Sequence, residues 1–174
     1  MKPVFIFLLF LLPFVSVAQT WKTFDKTDIL FTAKYPDTWV NKIKEGNRVF
    51  FTSPAEKEGD DFYQNVNISV TTNTAFTAGL KVKDAIDDII DKVKESFDEF
   101  KVESRTAMKW NGADAYEIIY SGNTRSGDVT SVRIIQRLCF YKTRLYIATY
   151  TALKGEDIYA VTAKQIINSV RFKP

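Results

Sequence analysis

Residues 101–153 contain four stretches of strand-forming side chains separated by short turns. This constrains the chain more than any other feature, because strands joined so closely can only lie antiparallel. The stretches are 101–110, 113–121, 129–141 and 144–153. Asn111-Gly112 is a two-residue hairpin turn, since both residues tolerate positive φ. Gly122 to Asp128 makes a looser turn, and Lys142-Thr143 a tight one with poor turn residues. At that last turn the side chains must set the register. Placing Leu138 opposite Ile147 and Phe140 opposite Leu145 gathers Val132, Ile134, Leu138, Phe140, Leu145 and Ile147 on one face. The other face then carries Arg133, Ile135, Arg137, Cys139 and Tyr141 beside Arg144, Tyr146, Ala148, Tyr150 and Ala152.

Upstream, residues 29–35, 47–52 and 65–72 read as strands, and Pro36-Asp37 turns the chain after the first. In the last of them Val66, Ile68 and Val70 share one face while Asn67, Ser69 and Thr71 share the other. The intervening SPAEKEGDDFYQ is a loop by its Pro, Gly and charges. Ile86, Ile89, Ile90, Val93, Phe97 and Phe100 recur at helical spacing and predict a helix over 83–100. Its first half is crowded with Asp84, Asp87, Asp88 and Asp91, which suit the positive end of a helix dipole and form a solvated face. A second helix is expected over 156–168, turning Tyr159, Ala163, Ile166 and Val170 inward, and SVRFKP closes the chain as a short edge strand. Together these predict an α+β domain whose central antiparallel sheet is covered by helices.

The first residues, MKPVFIFLLFLLPFVSVAQT, form an address label: Lys2, an apolar run from Val4 to Val17, then Ser16 and Ala18 at small-x-small spacing. The run is shorter than the roughly 20 residues a membrane span takes, and Pro13 interrupts it. Residues 1–18 are read as a cleaved signal peptide and 19–174 as one domain. Cleavage after Ala18 leaves Gln19 first, where a lipoprotein would need a cysteine. It also leaves 23 basic against 21 acidic side chains, too even a balance for a nucleic-acid binder. The expected location is periplasmic or extracellular, with no membrane span in the mature form.

Histidine is absent, which removes Ser-His-Asp and Cys-His catalysis and every imidazole metal site. The single Cys139 removes disulfide frameworks and Cys-rich zinc sites, and its strand-like surroundings predict a buried thiol. Phosphate-loop, dinucleotide, nucleophile-elbow and calcium-loop patterns do not occur; Gly59-Asp60-Asp61 has carboxylates without ligand spacing. Asp60 and Asp61 are adjacent in a polar loop, where carboxylates diverge into solvent rather than pair for acid-base work. The one constellation suited to a partner is Arg133 and Arg137 on one strand beside Tyr146 and Tyr150 on the next, where guanidinium over phenol fits an anionic ligand or a protein; the alternative is that the C-terminal helix covers this face, each arginine's stem packed and its head paired at the rim. No cofactor is implied.

FTAKYPDTW, VFFTSP, NVNISV, a mid-chain helix, RLYIATYTA and INSVRF, in that order, resemble the PsbP-like family over nearly the whole of residues 19–174. That family includes an extrinsic photosystem II subunit and bacterial envelope proteins, and a Ran-binding nuclear import factor shares its fold. Tyr35, Pro36 and Trp39 match its opening motif, Asn65 and Val66 its NV strand, Tyr146 its penultimate strand and Ser169 its closing segment. The resemblance implies an α/β/α sandwich and an accessory or binding role. Without histidine or a long basic arm, this chain departs from the photosynthetic members, and the leader is incompatible with nuclear import. The expectation is a non-catalytic exported binding or accessory protein of the envelope whose partner is an envelope protein or small ligand; the alternative is a carboxylate-dependent hydrolase.

Overall fold

The structure, a computed structural model, describes residues 19–45, 47–72, 81–125 and 130–174. The segment read as a signal peptide, 1–18, lies outside them, as do residues 126–128 of the turn expected from Gly122 to Asp128. In chain order the elements are β1 (Trp21–Asp25), β2 (Phe31–Pro36), β3 (Val40–Lys44), β4 (Arg48–Thr52), β5 (Asn65–Thr72), α1 (Val82–Lys94), β6 (Phe97–Trp110), β7 (Ala113–Thr124), β8 (Ser131–Tyr141), β9 (Arg144–Leu153), α2 (Ala160–Ser169) and β10 (Arg171–Phe172). No helix among the described residues is long and apolar enough to cross a membrane.

The meander expected from the turns is present. Asn111 and Gly112 turn at φ 52° and 81°. Leu138 lies opposite Ile147 and Phe140 opposite Leu145. β9 then pairs with β5, giving a seven-stranded sheet in the order β3-β4-β5-β9-β8-β7-β6, antiparallel throughout. A separate three-stranded sheet, β1-β2-β10, packs over one side of it.

Each face of the large sheet has its own core. On the first, Val49, Phe51, Val66, Ile68, Val70, Ile135, Tyr146 and Tyr150 pack against Phe24, Phe31, Ala33 and Tyr35 of the small sheet and Ala163, Ile166 and Ile167 of α2. On the second, Ile118, Tyr120, Val132, Ile134 and Leu138 pack against Val82 and Ile86 of α1. Three hydrogen bonds pin the C-terminal end of α2. Trp110 Nε1 donates to Ile167 O at 3.1 Å, Asn111 Nδ2 to Val170 O at 2.8 Å, and the Lys34 N–H to Ser169 Oγ at 2.7 Å.

The expected fold class, a helix-covered α+β or α/β/α sandwich, is corrected: the chain is mostly β, with helices of only 13 and 10 residues. One face is covered largely by a second sheet, and α1 packs mainly on β6, β7 and β8 on the other. Two sequence patterns misled. β1 and β3 bury too little to alternate visibly, since only Phe24 of β1 and no residue of β3 is buried. The expected helix over 83–100 stops at Lys94, and Phe97 and Phe100 begin β6 instead. In a regular strand, residues three apart face opposite ways. A register shift between Asp98 and Lys101, with Glu99 at φ 51°, turns both rings onto Tyr120 at 5.9 and 5.3 Å. Gly122 leaves room for this, since a Cβ there would meet Phe97 Cβ at 3.1 Å.

Ile86 is fully buried between α1 and the sheet. Ile86→Ala is expected to lower the unfolding free energy by about 2–5 kcal/mol in a denaturant titration. An unchanged midpoint would show that α1 does not dock through this residue.

Candidate functional site

The structure brings Arg133, Arg137, Tyr146 and Tyr150 onto one face of β8 and β9, and covers that face. Tyr146 and Tyr150 are 0% and 1% exposed. The Tyr146 hydroxyl donates to Leu30 O at 3.1 Å, and its ring stacks on Phe172 at 4.1 Å. The Tyr150 hydroxyl donates to Gln64 Oε1. Burial pushes both phenols upward and keeps them neutral. Arg137 is buried over the Trp110 ring and donates to Glu117 Oε2 at 2.6 Å and Asn168 Oδ1 at 2.7 Å. Arg133 reaches the rim, where Glu103 at 2.9 Å and Asp157 at 2.8 Å hold it. The face is an interior seam tying β7, β8 and α2 together.

Among the acids, Glu56, Asp60 and Glu156 meet where the β4–β5 loop approaches the segment after β9. Desolvation, then the charges of Glu156 and Asp60, hold the Glu56 carboxyl above its ordinary range. The oxygens are already engaged: Glu56 Oε1 accepts from the buried Gln64, while Asp60 accepts the Glu56 and Phe62 N–H groups, both at 3.1 Å. This folds the loop into an Asx-type turn and leaves Asp61 exposed. The carboxylates organise the loop rather than flanking a cleft.

A different surface has open chemistry. On the face of the large sheet that carries α1, the helix lies mainly over β6, β7 and β8. Beyond it the backbone registers line up three rows. One runs Lys42, Phe50, Asn67, Thr149, Gln136; the flanking rows run Val40, Thr52, Asn65, Thr151, Ile134 and Lys44, Arg48, Ser69, Ile147, Leu138. Phe50, Thr52, Asn65, Asn67, Ser69 and Thr151 are half-buried. Gln136 Nε2 donates to Thr149 Oγ1 at 3.1 Å, and Asn65 Nδ2 to Tyr63 O at 3.4 Å. The side chains of Thr52, Asn67, Ser69 and Thr151 have no hydrogen-bond partner among the described residues. Lys44 Nζ sits 4.6 Å from the Phe50 ring centroid, and Lys42, Lys44 and Arg48 are exposed at the edge.

Asparagine is disfavoured in strands, and two stand mid-sheet here, so the local preference has been overridden. The alternation within 65–72 already put Asn67 and Ser69 on one face. Thr149 and Gln136 were invisible as neighbours because nothing local reveals that β5 lies against β9, and Lys42 was missed with β3.

No protein-family profile matches the chain, and no curated protein matches it. Solved structures do. A Bacteroides thetaiotaomicron protein aligns with TM-score 0.58 and 19% identity over 88% of this chain, which spans about half (48%) of that one. The cyanobacterial PsbP (CyanoP) of Synechocystis aligns at 0.62 with 13% identity, covering 91% of this chain and 95% of that one. LpqN of Mycobacterium tuberculosis, described as involved in cell envelope biogenesis, aligns at 0.62 with 11% identity, covering 92% and 88%. The fold is therefore PsbP-like, with the layers as described above.

Two outcomes follow for the seam. The Arg137 and Glu117 side chains are 5% and 15% exposed, so Arg137→Ala leaves Glu117 only the longer contact to Lys164 at 3.5 Å and is expected to cost about 3 kcal/mol in thermal or denaturant melts. Arg133, 26% exposed, is expected to cost about 1 kcal/mol. Equal effects would contradict the seam. Burial raises the Cys139 thiol to about 12, so a thiol reagent at pH 8 is expected to react only after unfolding. Because the fold favours the neutral thiol, this contribution is complete below the ordinary thiol range and is lost as pH climbs toward 12. Rapid labelling of the native protein would overturn the assignment.

Proposed function

We propose that this is an exported, non-catalytic binding or accessory protein of the cell envelope that holds its ligand or partner on the polar face of the large sheet. The observation that carries the reading is the patch of Phe50, Thr52, Asn65, Asn67, Ser69 and Thr151, half-buried polar and aromatic groups on one face of the sheet. A sheet positions donors and acceptors without the ordering cost of a loop. The leader-like first 18 residues support export. A fold shared with a protein involved in envelope biogenesis supports an envelope setting. Mature chain would begin at Gln19 and reside in the periplasm or outside the cell.

No observation favours the hydrolase alternative, because Glu56 and Asp60 are engaged in loop hydrogen bonds. Arg133 is the one residue of the expected Arg and Tyr face with a partly exposed head, and in this reading it can join a partner only at the rim.

Two measurements test the proposal. Intact mass of the protein from fractionated cells is expected to show a chain starting at Gln19 in the envelope fraction; full-length chain confined to the cytosol would sink the export reading. In amide-resolved NMR, envelope extract is expected to shift resonances of β4, β5 and β9. Shifts confined to any other surface would move the site.

A further inference from the structure

The polar face has a defined chemical pattern, and its pattern narrows the ligand. Rows through β5 and β9 carry amides and hydroxyls and no ionised side chain: Asn65, Asn67 and Ser69 beside Ile147, Thr149 and Thr151. Such groups both donate and accept, so they match a ligand that also does both. At about 4.8 Å per strand, the half-buried groups from β4 through β5 to β9 span roughly 10 Å, longer than one sugar ring. Phe50 begins the row with a half-buried ring, a flat apolar platform of the kind that packs against the C–H face of a sugar.

Charge is confined to one side. Lys42, Lys44 and Arg48, with Ile43 and Glu45, line a shallow depression of about 510 Å³ next to Phe50. None of the three cations has a carboxylate partner among the described residues. Against the single Glu45 they leave two net positive charges. A phosphate polymer would call for cations along the whole track. A neutral glycan would leave this edge unmatched.

Resting on the reading that this face is the binding surface, we infer that its ligand is an acidic oligosaccharide. Hydroxyl-bearing rings lie along Phe50, Asn67 and Thr151, and a ring carboxylate meets Lys44 and Arg48. Lys44, already over the Phe50 ring, stands where that carboxylate would arrive.

The test titrates the exported protein with short oligogalacturonates, with maltooligosaccharides as the neutral counterpart and poly-L-glutamate as a polyanion without hydroxyls, read by calorimetry and amide NMR. Oligogalacturonate is expected to bind about tenfold more tightly than the neutral sugar, more weakly as salt rises, and to shift Asn67 and Thr151. Asn67→Ala is expected to lower that affinity about tenfold with an unchanged melting temperature. A Lys44→Ala, Arg48→Ala double variant is expected to abolish the preference for the acidic sugar while sparing the neutral one. Equal binding of polyglutamate, or indifference to Asn67→Ala, would reduce the edge to a generic anion patch and overturn the inference. Failure of both sugars overturns it as well. Envelope extract then separates the cases: continued shifts at Asn67 and Thr151 leave the binding role standing and remove only the ligand class, while silence there removes both.

Discussion

The pairing of β5 with β9 is the constraint on which the other parts depend. It joins segments about eighty residues apart through eight opposed positions, Asn65 with Thr151 to Thr72 with Arg144. It sets Val66, Ile68 and Val70 beside Tyr146, Ala148 and Tyr150 on one side, and Asn67 and Ser69 beside Thr149 and Ile147 on the other. A slip of one residue would exchange the faces, burying asparagines beneath the small sheet and exposing valines. The cost of those misplaced polar groups, each of order 1–3 kcal/mol when left unpartnered, holds the register. The dry face and the wet face are thus consequences of one alignment.

Much of this was legible in the chain before any coordinates. The β6 to β9 meander follows from its turns, and the Leu138–Ile147 register follows because only that pairing collects the apolar residues on a common face. What stayed hidden was long-range. β1, β2 and β10 come from opposite ends of the chain, and β10 has only two residues, so its pairing with Thr32 and Phe31 leaves no periodic trace. Phe97 and Phe100 satisfied a helical stripe equally well, because a bulged strand and a helix both bring residues three apart to one side. The helix ended early because tertiary contact with Tyr120 decided between two locally acceptable states.

The candidate site was half legible for the same reason. Alternation within one strand places Asn67 and Ser69 together, but a site is made across strands, and the neighbours of Asn67 are Phe50 and Thr149. Conversely, the Arg and Tyr face follows from the β8–β9 register, and of its two readings, a partner surface or a face packed under the C-terminal helix, the strands alone could not choose. α2 and the small sheet turn that assembly inward, and the arginines become struts.

The two groups of cations show how structure and function can be told apart on physical grounds. Arg137 and Arg133 lie on the dry side, and each head is met by carboxylates between 2.6 and 2.9 Å away. Removing either costs a carboxylate its shortest contact, most severely at the buried Arg137, so the sequence is held there by folding. Lys42, Lys44 and Arg48 stand exposed on the other side of the fold, paired with no acid among the described residues. Edge strands do recruit lysine to discourage strand addition, which accounts for charge on β3. It does not account for Arg48 on β4, an interior strand, nor for uncharged amides and hydroxyls in the next two strands of the same rows. Protection of an edge requires charge at the edge alone; a graded surface, charged outside and hydroxyl-matching within, is the arrangement that a ligand with one acidic end requires.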